Sequence, residues 1–333
     1  MKYFVTGHLG YIGVHLVRQL KEHGHTVTGC DLDLFAGCAF DTFVRPDKEL
    51  LQDFRSLTRK DLEGYDCVMH LAAISNDPMG DLNEAITYSV NLEGTVNLAK
   101  LAKEADVPMF LFSGSCSVYG KGAKLDLAEE DALNPVSAYA ISKVKSEERI
   151  SPLADENFTP VYLRNATAYG YSPMLRIDLV VNNLLACAHA VGEIRIMSDG
   201  TPWRPLVHCS DIAKAFVYMA KADKKKVHNK AINIGGNKEN FQVRDVANYV
   251  QEFMPQAKIT YTGEVGVDPR DYRVKFDLLN QLVPEFKLDY TLHAGVEELH
   301  KHYLKKKFSL QDFKDDKYFR LRVLKHKLQL LNP

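Results

Sequence analysis

The chain has 333 residues, of which 46% are hydrophobic, and a formal net charge of −1. That length and apolar content support one large domain or two ordinary ones and exclude wholesale disorder. The near-zero charge excludes a global field for nucleic acid or an acidic membrane surface, although residues 301–333 carry ten Lys/Arg against three Asp/Glu, a local +7 that leaves about −8 elsewhere.

Tyr3 to Thr6 reads as a strand and Gly10 to Glu22 as a helix. Thr26 to Asp31 and Cys67 to Leu71 read as strands, Asp81 to Ala105 as one long helix, and Met109 to Ser113 as a strand. Ala138 to Leu153 follows as a helix and Val161 to Leu163 as a strand. Apolar strands without polar alternation, separated by helices, predict a parallel sheet covered on both faces and a doubly wound α/β fold. Beyond residue 165 the rhythm loosens, with Pro and Gly clustered at 170–173, 199–205 and 263–269. Helices are predicted at 177–191, 210–222, 243–253 and 293–305, in a smaller α/β region suited to a substrate lid. The stretch Leu179 to Val191 is interrupted by Asn182, Asn183 and His189, so it predicts a buried helix rather than a membrane span. Leu321, Leu324, Leu328 and Leu331 give the basic tail helical spacing, as of a helix docked on its own domain or on a partner subunit.

Six cysteines (Cys30, Cys38, Cys67, Cys116, Cys187 and Cys209) form no CxxC pair. They predict reduced thiols in a cytoplasmic protein and no metal site. Met1-Lys2 runs directly into the first strand, which leaves no room for a signal peptide.

Gly7-His8-Leu9-Gly10-Tyr11-Ile12-Gly13 sits between the first strand and the first helix. In that position Gly7 permits the tight turn, Gly10 admits a pyrophosphate, and Gly13 allows close helix–strand packing. Asp31 ends the second strand, 24 residues after Gly7. A carboxylate there accepts ribose hydroxyls and repels a 2′-phosphate, and no Lys or Arg follows before Arg45. The expected cofactor is therefore NAD.

Tyr139 and Lys143 stand at i and i+4 on one helical face. An ammonium beside a phenol stabilises the phenolate and makes a usable base. The Ser-rich stretch from Phe112 to Gly120 follows a strand, at the sheet edge where cofactor crevices form. One of its hydroxyls can hold a substrate oxygen against Tyr139.

The glycine loop, His70-Leu71-Ala72-Ala73, Ser113–Gly120 and the Tyr139/Lys143 pair together resemble the extended short-chain dehydrogenase/reductase family, in its nucleotide-sugar epimerase and dehydratase branch (UDP-galactose 4-epimerase-like). The likeness covers roughly residues 1–305. It implies a Rossmann-type NAD domain over 1–165, completed by parts of the second half. It also implies a mainly substrate-binding region over 166–305, followed by the basic tail 306–333.

By position the resemblance implies Ser115, Tyr139 and Lys143 as catalytic residues. It places Gly7, Gly10, Tyr11, Ile12, Gly13, Asp31, Asp53, Phe54, Leu71, Ala72, Ala73, Asn91 and Ser113 around NAD. Asp53-Phe54 matches the adenine-contacting pair, and Asn91 a structural polar residue on a following helix. Ser115, Ser117, Thr167, Asn183, Arg204, Arg270 and Arg273 fall on the substrate, the arginines suiting a diphosphate through their planar forks.

Three departures stand out. Dehydratases of the branch carry an acid where this chain has Ser117, preceded by Cys116, so dehydration is disfavoured. Gly114 replaces a usual Ser, and Thr167 replaces a usual Asn. The expected reaction is C4 epimerisation of a nucleotide-diphosphate hexose through a transient keto sugar. Alternatives are a C4 oxidase or 4-keto reductase with the same Ser/Tyr/Lys set, which the stretch Leu175 to Asn183 also resembles, and a non-catalytic NAD-binding scaffold. A homodimer through helices 81–105 and 138–153 is expected, with no nucleic acid or membrane partner.

Overall fold

The computed structural model describes residues 1–120, 126–263 and 271–331, the last four of these by backbone alone. Seven parallel strands form the main sheet: β1 (Lys2–Thr6), β2 (Thr26–Asp31), β3 (Lys48–Leu51), β4 (Cys67–His70), β5 (Met109–Ser115), β6 (Thr159–Asn165) and, far along the chain, Lys230–Ile234. Their order is β3-β2-β1-β4-β5-β6 with Lys230–Ile234 at the outer edge. The order reverses at β1, so a crevice opens beyond its carboxyl end between β2 and β4. Tyr3, Phe4 and Val5 are fully buried, as a sheet covered on both faces requires.

Helix α1 (Gly13–Glu22) starts three residues later than the sequence pattern implied, because Gly10 to Ile12 are spent on the turn. The predicted helix 81–105 is corrected in the same way. A short helix α2 (Asp77–Gly80) is capped by Asn76, and α3 (Glu84–Tyr88) by Asn83, whose carbonyl oxygen accepts from the Ile86 amide at 3.0 Å. The Asn83 cap starts a new helix there, so the predicted one is interrupted at 81–83. A π-helical stretch, Ser89–Gly94, then leads into α4 (Thr95–Glu104). Helix α5 (Ala138–Ile150) is capped by Ser137 and tightens to a 3₁₀ turn at Pro152.

The second half holds two small sheets that the sequence pattern did not reveal. One has Trp203–His208 between Thr167–Tyr169 and Asn240–Gln242, and the other pairs Glu193–Ile196 with Lys258–Tyr261. Helices α6 (Val180–Val191), Val243–Phe253 and Leu292–Lys306 enclose a core of Leu184, Leu185, Val246, Val250, Val296 and Leu299. Among the described residues no helix is long and apolar enough to cross a membrane.

Two histidines are buried inside this framework. His70 lies between Thr6 (2.6 Å) and Thr95 (2.8 Å), and burial pushes its pKa down to about 3. His15 is likewise held at about 3, by burial first. Both are neutral in the fold and charge on unfolding, so the unfolded chain binds more protons at low pH. Their stabilisation is present above the ordinary histidine pKa of ~6.5 and is lost as pH falls toward 3. Unfolding free energy should therefore fall by up to about 1.4 kcal/mol per pH unit for each histidine. Denaturant titrations from pH 7 to 4 should show a shallower slope for His70→Gln than for the parent chain.

Candidate active site

The glycine turn is built to admit no side chain. Gly7 has φ +75°, and a Cβ there would meet the Ala72 amide nitrogen at 2.6 Å. A Cβ on Gly13 would meet the Gly7 carbonyl oxygen at 2.1 Å. The Gly10 amide donates to the Gly7 carbonyl at 3.0 Å, so the backbone doubles back directly ahead of α1. The Val14 and His15 amides donate to the Gly10 and Ile12 carbonyls at 3.2 and 3.1 Å, so the turn runs straight into α1 and puts the positive end of its dipole beside the glycines. Gly13→Ala should cut NAD affinity at least about tenfold by displacing this turn, and calorimetric NAD titration reads that loss directly.

Asp31 is anchored beside the turn. Its carboxylate accepts from the Leu9 amide (3.1 Å) and the Asp33 amide (3.0 Å), while burial raises its pKa. This is an oriented acceptor at the end of β2, as a ribose diol requires. Asp53 pairs with Arg55 at 2.6 Å, and buried Phe54 packs edge-on against His70. Leu71 and Ala72 continue β4 alongside the glycine turn, with the Leu71 amide donating to Thr6 at 3.0 Å. Asn91 exchanges two hydrogen bonds with the Ile74 backbone (2.8 and 3.0 Å), fixing the segment from Leu71 through Ala73 to Ile74. Tyr11 donates to the Gly170 carbonyl at 2.6 Å, so its side chain ties the turn to the second half, and Ile12 packs on the main core. A cradle without Cβ atoms, the N-terminal end of α1 and a fixed carboxylate together fit NAD.

Ser115 ends β5 at the carboxyl edge of the sheet, and Lys143 and Tyr139 lie side by side against the same strand. The Ser115 Oγ accepts from the Ser117 amide at 3.1 Å. Tyr139 stands in the first turn of α5 and is pressed by α2: a Cβ on Gly80 would lie 3.0 Å from the Tyr139 Cβ. Lys143 is buried, with Nζ 2.7 Å from the Ser113 carbonyl, 4.6 Å from the Phe112 ring centre and 5.6 Å from that of Tyr139. Burial lowers its pKa to about 7, opposed by the charge of Glu147. The Ser113 Oγ accepts from Asn165 Nδ2 at 3.1 Å, which holds β5 and β6 in register at the site.

The substrate candidates are more scattered. Ser117 is buried, and its hydroxyl has no hydrogen-bond partner among the described residues. Thr167 lies half-buried on its short strand. Asn183 donates to the Ile177 carbonyl at 2.9 Å. Arg204 is buried and donates to the Trp203 carbonyl at 2.7 Å, while Arg273 stacks over the Trp203 ring at 4.9 Å and pairs with Asp126 at 2.8 Å. Of the predicted arginines, Arg204 thus bonds the Trp203 backbone and Arg273 covers the Trp203 ring. Arg270 lies outside the described residues.

One residue near the site was missed. Arg176 is buried, forks onto Asp178 at 2.9 and 3.0 Å, and reaches Ser75 beyond β4 at 3.3 Å. Its charge acts on both Tyr11 and Tyr139. It stands in the Leu175 to Asn183 stretch, but no local spacing marks a contact across 101 residues.

Comparison with known proteins places this geometry. The model of the NAD dependent epimerase/dehydratase family matches residues 3–235. An uncharacterized UDP-glucose epimerase of Bacillus subtilis (strain 168) is 27% identical over 297 residues, covering 85% of this chain and 92% of its own. In structure, an NAD-dependent NDP-hexosamine 5,6-dehydratase of tunicamycin biosynthesis superposes with a TM-score of 0.81 at 23% identity, over 92% of this chain and 99% of that one. The UDP-glucose 4-epimerase of Thermotoga maritima, solved with UDP-glucose, gives 0.80 at 22% identity, over 92% and 100%. The chain belongs to the NAD dependent epimerase/dehydratase family, as an NAD-dependent enzyme of the extended short-chain dehydrogenase/reductase type.

Proposed function

We propose that this enzyme is a nucleotide-sugar 4-epimerase, which oxidises and re-reduces its hexose at C4. The observation that carries the proposal is Lys143, buried on the Ser113 carbonyl and beside the Tyr139 ring, two residues along β5 from Ser115. Gly7, Gly10, Gly13, Asp31 and the loop from Leu71 to Ala73 would hold NAD. The chemistry that bound NAD supplies is hydride acceptance and return at the sugar carbon. Ser115 orients the C4 hydroxyl, and Tyr139 takes its proton as the carbonyl forms. The Lys143 ammonium stabilises the phenolate. Arg204, Arg273 and Asn183 grip the diphosphate, which leaves the keto hexose free to turn before Tyr139 returns the proton.

Dehydration needs a further acid, and none stands at the expected place. There Ser117 is uncharged, and the neighbouring Cys116 thiol donates to the Arg164 carbonyl at 3.2 Å, with its pKa raised by burial. The relatives named as UDP-glucose epimerases favour a uridine diphosphate sugar. The test is NMR and mass spectrometry of products from UDP-, dTDP-, GDP- and CDP-hexoses. Unchanged mass with inverted C4 supports the proposal. Loss of two hydrogens, or of water, replaces it with an oxidase or a dehydratase.

Dimerisation through α3, α4 and α5 belongs to the same proposal. Ile86 and Val136 are exposed apolar side chains near these helices, and Arg149 already links α5 to Glu93. A monomer mass in light scattering at micromolar concentration would remove it.

A further inference from the structure

Residues 170–179 form a loop between the strand Thr167–Tyr169 and helix α6. The neck of that loop is closed by Asn182, which is fully buried in the first turn of α6. Its Oδ1 accepts from the Gly170 amide at 2.8 Å, and its Nδ2 donates to the Gly170 carbonyl at 3.1 Å and to the Arg176 carbonyl at 2.7 Å. The loop thus closed carries Arg176, which reaches Ser75 at 3.3 Å, and Ile177, whose carbonyl holds Asn183 at 2.9 Å.

A further partner of the neck comes from the glycine turn. The Tyr11 hydroxyl donates to the Gly170 carbonyl at 2.6 Å and accepts from Asn182 Nδ2 at 3.1 Å. Burial holds its pKa well above the usual value, so it remains a donor at neutral pH. The Tyr11 backbone is gripped as well, because the Ser172 hydroxyl donates to its carbonyl at 2.8 Å. One helical turn further on, His15 Nε2 lies 3.0 Å from the Tyr171 carbonyl. Three consecutive loop residues are therefore stitched to the turn and to the start of α1.

Tyr11 stands in the middle of that turn, between Gly10 and Gly13, and its side chain is buried. A buried phenol is a rigid plate, so whatever fixes the backbone of Tyr11 also fixes the hydroxyl at its far end. A segment ordered by one ligand has less freedom left to lose to the next, which couples the two sites.

We propose that Tyr11 is a positioning residue for the substrate side, through which NAD seated on the glycine turn orders the loop 170–179 and, with it, Arg176 and Asn183. The part that concerns substrate rests on the nucleotide-sugar reading above, and the ordering of the loop by NAD does not.

The test uses the full chain, freed of co-purified dinucleotide, as the parent and as Tyr11→Phe. The variant should fold, because the two Asn182 Nδ2 hydrogens keep two acceptors and the Gly170 carbonyl keeps Asn182. Amide hydrogen exchange of residues 170–179 is followed by mass spectrometry with and without saturating NAD. UDP is titrated by calorimetry in the same two states. In the parent, NAD should slow the exchange about tenfold or more and tighten UDP about fivefold or more. In Tyr11→Phe with NAD bound, the slowing should fall to about threefold or less, and the tightening of UDP to about twofold or less. No slowing by NAD in the parent would overturn the proposal, as would full slowing in Tyr11→Phe. So would exchange that is faster in Tyr11→Phe by the same factor with and without NAD, which is the signature of a merely structural tyrosine. UDP binding that is equally tight in the parent with and without NAD would overturn the substrate role. If UDP fails to bind the parent while NAD still slows the loop through Tyr11, the nucleotide-sugar reading falls and the ordering by NAD stands. Should Tyr11→Phe fail to fold, Ser172→Ala decides by the same exchange ratio, since it cuts the loop from the Tyr11 carbonyl alone.

Discussion

Tyr139→Phe should lower kcat by about 10²- to 10⁴-fold, the usual contribution of a positioned acid–base group. Packing holds the start of the side chain in place. Ser137 caps α5 by accepting from the Ala140 amide at 3.1 Å, and Gly80 abuts the Tyr139 Cβ. Phenylalanine should therefore occupy the same place. KM for the nucleotide sugar should move by no more than about threefold, because the lost interaction is made chiefly as the proton transfers. NAD content, read by absorbance after denaturing the purified variant, should match the parent. Steady-state rates and dinucleotide content together make the check. Full activity in Tyr139→Phe would end the proposed mechanism.

What the sequence displayed of this site was what lies close together in the chain. Gly7, Gly10 and Gly13 span a single turn, and Tyr139 and Lys143 a single helical turn, so spacing alone carried them. Asp31 followed from the length of one strand–helix–strand unit. The presence of β1, β2, β4, β5 and β6 in a parallel sheet was legible because buried parallel strands are continuous apolar runs, although β6, read as Val161 to Leu163, runs from Thr159 to Asn165. The small strands of the second half were not. Thr167–Tyr169, Glu193–Ile196 and Asn240–Gln242 have three or four residues each, and several of them are half-exposed, too short for any periodicity. The break at 81–83 was hidden for another reason. The helical pattern that follows is real, and it took the Asn83 side chain, accepting from the nearby Ile86 amide, to restart it. Arg176 was invisible as a site residue because its defining contact, to Ser75, crosses 101 residues. A charge in a sequence does not say whether it ends in water or under a loop.

Glu147→Ala is expected to be the most destabilising single change near the site, at about 3–5 kcal/mol, because it strands a buried guanidinium. Arg164 forks onto Glu147 at 2.7 and 3.1 Å with both side chains less than a tenth exposed. Burial by itself would lower the Arg164 pKa, but the bonds and charge of Glu147 hold it above its usual value. The remaining partners, the Tyr119 hydroxyl at 3.3 Å and the Glu129 carbonyl at 3.2 Å, are neutral and cannot replace a carboxylate. Urea unfolding should show a lower midpoint with an unchanged slope. The double variant Glu147→Leu with Arg164→Met should regain much of the loss, since an apolar pair of similar volume leaves nothing buried and unpaired. A penalty below about 1 kcal/mol for Glu147→Ala would mean that Arg164 is satisfied without it. The pair also bears on the chemistry, since Glu147 lies one helical turn beyond Lys143 and is the charge that keeps the Lys143 pKa from falling further. Arg164 precedes Asn165, which bonds Ser113 and Gly114. The ion pair thus sets α5 against β6 at the height where Lys143 meets the Ser113 carbonyl. Even where Glu147→Ala remains folded at low temperature, it should turn over more slowly than the double variant. With Arg164 unpaired, both the protonation of Lys143 and its seat on β5 are weakened together.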